Sequence, residues 1–161
     1  MQFTKFTLVV AMTLFAFLSA ISTTTEAATK IQFGKKASGK ATWFNGKDAR
    51  DVACYGILQN KDVNAQDSWH IAAMRLSQFT GGVKNACFEC LRVTAGSRSV
   101  IARIIDDCSS CSSGHVDLSL GAFLKLAPKK QGVVSIKYEF VRCPSSGSNL
   151  KWPKSPPVKK F

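Results

Sequence analysis

Six cysteines, all lying after an apolar leader, constrain this 161-residue chain more than any other feature of its sequence. The leader, "MQFTKFTLVVAMTLFAFLSAISTTTEAAT", has one early lysine (Lys5), an apolar run from Phe6 to about Ile21, and then small and polar residues. That is the build of a secretory signal peptide, expected over residues 1–27 with cleavage between Ala20 and Ala28. The run is too short for a membrane anchor and has no basic flank to stop transfer. Export carries Cys54, Cys87, Cys90, Cys108, Cys111 and Cys143 through an oxidising compartment, where an even count reads as three disulfides.

Two of the cysteine pairs, Cys87-x2-Cys90 and Cys108-x2-Cys111, also have the spacing of a zinc ribbon. In a cytosolic chain zinc would be favoured. Here the exported context weighs for disulfides, and a ribbon leaves Cys54 and Cys143 without a role. The two carboxylates of "DDCSSC" also sit poorly beside zinc-bound thiolates. A redox C-x-x-C lacks its βαβ context. Spacing alone leaves fifteen ways of pairing six cysteines.

The net charge is +12, and removal of the leader takes away one lysine (Lys5) and one acid (Glu26), leaving it unchanged. Such a surface favours polyanions, acidic polysaccharide among them, or simply keeps the protein soluble. Arginine is not interleaved with aromatics as in nucleic-acid modules, and export argues against a nucleic-acid partner. Nothing calls for a membrane partner, a metal or a cofactor, and the chain reads as a monomer.

Residues 28–38 read as a basic linker. "GKATWF" (39–44) reads as a strand, and "NGKDARDVACYGILQNKDVNAQ" as a long loop. "DSWHIAAMRLSQFTGG" (67–82) predicts a helix capped by Asp67 or Ser68, with Trp69, Ala72, Ala73 and Leu76 on one face. "CFECLRVTA" and "SVIARIID" predict strands around the turn "GSRS". "DLSLGAFLKLA" predicts a short helix after Asp117, with Ser119 as its cap. "GVVSIKYEFVRC" alternates, with Val134, Ile136, Tyr138 and Phe140 on one side. Residues 145–161, rich in proline and lysine and including Trp152, read as an extension with little core. The sum is one β-rich domain over 39–144 with two short helices and long loops.

The order of "GKATWF", "ACYG", "ACFECLRV", "VIARIIDDC", "HVDLSLGAF" and "GVVSIKYEFVRC" resembles the double-psi β-barrel proteins. That superfamily takes in expansins, loosenin-like and barwin-like secreted proteins, the rare lipoprotein A domain and family-45 glycoside hydrolases. The resemblance covers about Gly39 to Cys143. It implies a mainly β fold, a six-stranded double-psi β-barrel with disulfide-stapled loops and an open groove. It also implies the pairs Cys54–Cys87, Cys90–Cys143 and Cys108–Cys111.

By the same resemblance, Thr42, Asp106 and Asp117 line a polysaccharide groove, with cellulose, chitin or pectin as partner. The residues agree in part, since Asp117 before a predicted helix N-terminus is a stabilised, outward-aimed carboxylate. Two close carboxylates would also push their pKa values apart. The plainer reading is that Asp117 caps the helix and Asp106 satisfies loop amides. Trp43 and Phe44 follow Thr42, and one of them should face the groove. Tyr55 and Phe88 are weaker stacking candidates. His115 lies near the groove, whereas His70 belongs to the predicted helix. The position two residues after Asp106, aromatic in expansins, is Cys108 here. Hydrolysis needs a second carboxylate as base. The nearest to the end of the first strand is Asp48, which is displaced and sits between Lys47 and Arg50. The expectation is therefore a secreted, non-hydrolytic polysaccharide binder. The alternatives are a weak glycoside hydrolase or lytic transglycosylase with Asp117 as acid, and a barwin-like defence protein, effector or protease inhibitor.

Overall fold

The structure, a computed structural model, describes residues 27–45, 52–56 and 66–144. Residues 1–26 of the expected signal peptide, Asp48 and the expected tail with Trp152 lie outside the described residues. Among the described residues six strands appear in chain order: β1 (Ala37–Phe44), β2 (Ile71–Met74), β3 (Cys90–Ala95), β4 (Arg98–Asp107), β5 (His115–Ser119) and β6 (Val134–Val141). They close into a barrel in the order β1-β5-β2-β4-β3-β6, with β6 returning to β1. The expected six-stranded barrel is therefore present. Three four-residue helical turns decorate it: α1 (Ala53–Gly56), α2 (Val83–Ala86) and α3 (Leu120–Phe123).

Alternation explains most of the strands. In β6, Ile136, Tyr138 and Phe140 are buried while Ser135 and Lys137 are exposed. In β5, Val116 and Leu118 are buried, and His115 and Asp117 face outward, half-buried. A small barrel fills its interior with side chains. Here these include Ala41, Leu91, Val93, Ala102, Ile104, Val116 and Leu118, all fully buried, and Phe123 from α3 packs in the same core. β3 and β4 form a hairpin whose turn needs a left-handed residue, supplied by Gly96 at φ 59°.

The segment 67–82 is not the predicted helix. Ile71–Met74 is β2, lying between β4, to which it is parallel, and β5, to which it is antiparallel. All four of its residues are buried. A strand covered on both faces loses its polar alternation and reads as an apolar run, which a helix period fits equally well. The rest of the segment forms a 3-10 turn at Leu76–Gln78, and Gly81 and Gly82 take positive φ before α2. Asp117 likewise lies inside β5 rather than just before a helix, so no helix dipole stabilises it. Ser119 stands at the start of α3 but makes no cap hydrogen bond. Its hydroxyl instead donates to the Trp69 carbonyl and accepts from the Ile71 amide at 3.3 Å, tying β5 to the entrance of β2.

The disulfides are Cys54–Cys87, Cys90–Cys143 and Cys108–Cys111. Cys87 and Cys90 thus have different partners, which removes the zinc-ribbon reading. The first two bridges close loops with sequence separations of 33 and 53, each worth about 4 kcal/mol by chain entropy. The third spans three residues and is worth about 2 kcal/mol on the same scale.

Candidate functional site

Strand register builds the site. Thr42 on β1 pairs with Asp117 on β5, Asp117 pairs with Ala73 on β2, and Ala73 pairs with Asp106 on β4. Directly opposed residues point to the same face of a sheet, so the four form one row across the outside of the barrel. The two aspartates are two strand spacings apart, about 10 Å between backbones. The small side chain of Ala73 keeps the floor between them low. The β-bulge at Ala72/Ala73 brings Ala73 into line with Asp106. Above the row is an open depression of about 300 Å³ lined by Phe44, Ala73, Asp106, Asp107, Cys108, Asp117 and two loop serines.

At one end of the row is a three-residue network. The Thr42 hydroxyl donates to Asp117 Oδ1 at 2.5 Å and lies 2.7 Å from His115 Nε2. A hydroxyl has one proton to give. With Asp117 ionised that proton is committed to the carboxylate, so His115 must donate from Nε2. The imidazole is therefore held in its Nε2–H form. Burial pushes the Asp117 carboxyl above its ordinary value, opposed by the Thr42 hydrogen bond and by His115. Burial pushes His115 below its ordinary value, helped by Lys40 and opposed by Asp117. Both shifts favour neutral side chains, and Asp117 is thereby brought closer to acting as an acid. His115, expected from the sequence near the groove, meets Thr42 through the parallel β1–β5 register, a contact that the sequence alone does not reveal.

Asp106 plays a different part. Its Oδ1 accepts the Ala53 amide at 2.9 Å and the Asp107 amide at 2.8 Å. It therefore holds the start of α1, as the plainer reading expects, while also lining the depression. Asp107, which sequence reasoning left aside, accepts the Leu76 amide at 2.7 Å and fixes the turn after β2.

Of the aromatic candidates, Phe44 lies on the outer face with Thr42 and lines the depression. Trp43 is on the opposite pleat and half-buried, and the Lys129 ammonium stands 4.7 Å from its ring centroid. Tyr55 does not fit a groove position. It is buried edge-to-face against Phe88, 5.5 Å between centroids, and burial pushes its phenol up to about 12. Phe88 is buried as well, beneath the Arg103 guanidinium. His70 is buried at the entrance to β2, its carbonyl accepting the Arg103 amide. Among the described residues no cluster of His, Cys, Asp and Glu could hold a metal.

Comparison with known proteins follows the same fold. The family model described as lytic transglycolase matches residues 36–138. The chain is 33% identical over 122 residues to the papain inhibitor of Streptomyces mobaraensis, covering 72% of this chain and 79% of the relative. A solved Streptomyces papain inhibitor superposes with a TM-score of 0.57 at 30% identity, over 70% of this chain and 100% of that one. Expansin-A26 of Oryza sativa subsp. japonica is 28% identical over 117 residues, which is 71% of this chain but 40% of the expansin. A variant of Clavibacter michiganensis expansin solved in complex with cellohexaose gives a TM-score of 0.55 at 26% identity, over 70% of this chain and 54% of that one. The chain thus spans about half or less of the expansins it matches.

Proposed function

Because the chain belongs to the double-psi β-barrel family described as lytic transglycolase, we propose that it is an exported protein that binds cell-wall polysaccharide over the Thr42–Asp117–Ala73–Asp106 row and loosens it without hydrolysis. The observation that carries this reading is the row itself, an open trough with a low alanine floor, a carboxylate on either side and Phe44 at its edge. Such a surface suits a long chain that lies across it and hydrogen-bonds along its length. The expansin solved with cellohexaose supports the same class of ligand. Against hydrolysis stands the condition of Asp106. An inverting glycosidase needs a base that activates water, whereas Asp106 has Oδ1 committed to two backbone amides. Among the described residues, one acid without a poised base is the equipment of a binder. Incubation with cellulose, chitin, pectin and peptidoglycan, scoring both retention and soluble sugar, tests the reading. Retention without sugar release is the expected result. Sugar release that disappears in Asp117→Asn would replace it with the hydrolase or lytic reading.

A second reading rests on a separate observation. The Streptomyces papain inhibitor is matched over its entire length, whereas the expansins extend well beyond the shared barrel. On this reading the barrel is a rigid scaffold whose loops engage a cysteine protease. Titration of papain activity tests it directly. Inhibition that survives Asp117→Asn would move the function from the trough to the loops.

A further inference from the structure

We infer that a second, anion-selective sugar-binding stretch continues from this trough around the barrel wall over β1, β6 and β3, and that it takes carboxylated polysaccharide of the polyuronate class. The inference rests on the polysaccharide reading above and adds to it a ligand class and a location.

Strand register again supplies the geometry. On the outer face of β1, Lys40 and Ser38 follow Thr42 at two-residue steps, so the three span about 13 Å along the strand. Lys40 lies between His115 on β5 and Ser135 on β6. One step further, Ser38 pairs with Lys137 on β6, and Lys137 pairs with Thr94 on β3. The path ends in a shallow depression of about 530 Å³ lined by Ser38, Gly39, Thr94, Gly96, Ser135 and Lys137, with Ile136 at its base.

The chemistry of this path differs from that of the trough. Its terminal depression is lined by hydroxyls and Lys137, and neither a carboxylate nor an aromatic ring lines that depression. The nearest acid on β6, Glu139, is held by Arg92 at 3.0 Å. Lys40 and Lys137 are both exposed, and neither forms an ion pair among the described residues. Unpaired ammonium groups beside small hydroxyls suit a sugar that carries its own carboxylate. Without a stacking ring, binding there depends on charge and is weakened by salt. The trough, with two aspartates, would repel the same carboxylate, so the two stretches divide the ligand between neutral and acidic sugars.

The test uses the whole exported chain and two forms of one polymer, polygalacturonate and its fully methyl-esterified counterpart, with cellulose as the neutral reference. At low salt the wild type should bind the acid form at least fivefold more tightly than the ester, and the difference should vanish in half-molar salt. Lys137→Glu should lose most of the preference for the acid form and keep its binding to cellulose. Lys84→Glu, an equal change of net charge on α2, should keep the preference. The inference is overturned if Lys137→Glu leaves polygalacturonate binding unchanged, or if Lys84→Glu lowers it equally, which would assign the effect to net charge alone. Cellulose binding in Asp117→Asn reads the trough separately. Its survival would sink the trough reading without touching the Lys137 result.

Discussion

Replacing Thr42 by valine removes the hydroxyl at the centre of the network at one end of the row and keeps the shape of the side chain. Two contacts disappear, to Asp117 Oδ1 at 2.5 Å and to His115 Nε2 at 2.7 Å. A hydrogen bond to an ionised carboxylate is worth about 1.5–3 kcal/mol and one between neutral groups about 0.5–1.5 kcal/mol. Both partners are half-buried and water can replace part of what is lost. The low end of each range applies, about 2 kcal/mol together. For a domain of this size each kcal/mol moves Tm by roughly 4–8 °C, so Thr42→Val should melt about 10 °C lower at pH 7. Thr42→Ser restores the hydroxyl and should recover at least half of the difference. In acid, once Asp117 is protonated, the stronger bond becomes a neutral one and the gap should narrow. Thermal denaturation of the three proteins at several pH values measures all of this. Nitrogen chemical shifts of His115 add an independent reading, with the Nε2–H form dominant in the wild type. Equal melting of all three proteins at pH 7, or a His115 that is the Nδ1–H form in the wild type, would refute the network.

The folded Asp117 carboxyl holds its proton more tightly than the unfolded one, so its stabilising contribution is present below the ordinary value of 3.8 and is lost as pH rises through the folded value. The melting temperature of Asp117→Asn relative to the wild type should therefore climb between pH 3 and 7, and a fall would contradict the burial argument. Gly39→Ala places a Cβ 1.8 Å from the Gly114 carbonyl oxygen, backbone against backbone. It should cost about 3 kcal/mol in urea denaturation, and it should also displace His115, which follows Gly114 directly. Tyr55→Phe deletes a buried hydroxyl that has no hydrogen-bond partner among the described residues, so stability should hold or improve by up to about 1 kcal/mol. Replacing Cys54 and Cys87 together by alanine should destabilise by about twice as much as replacing Cys108 and Cys111, as their loop lengths dictate. Equal losses in the two double variants would argue that something other than chain entropy governs these bridges.

What was legible in the sequence was whatever depends on neighbours along the chain. The alternation of β6 and the hairpin turn at Gly96 follow from local period and turn chemistry, whereas Asp117, read as the residue before a helix, lies inside β5. β2 was not legible, because Ile71–Met74 is buried on both faces and shows no alternation. The resemblance supplied the barrel and the three pairings, which cysteine spacing alone left open. The partner of His115, itself expected near the groove, was hidden for another reason. Its partner Thr42 is 73 residues away, and only the parallel register of β1 with β5 brings them together. Tyr55 misled through composition, since a tyrosine beside a cysteine in a polar loop looks available, whereas the Cys54–Cys87 bridge draws its neighbourhood against Phe88.

The pairing of β1 with both β5 and β6 also has a kinetic consequence. Thr42 meets Asp117 across 75 residues of chain, and both strand pairs that hold β1 join distant parts of the sequence. Contacts of such long separation form late, because the loop entropy must be lost before they can repay it. The β3–β4 hairpin can form early, but the trough exists only once the first strand has closed the ring. In a refolding experiment, recovery of ligand retention should therefore trail the recovery of β-sheet signal and coincide with the last phase. No partly folded species would carry a working trough, so ligand retention would report ring closure itself.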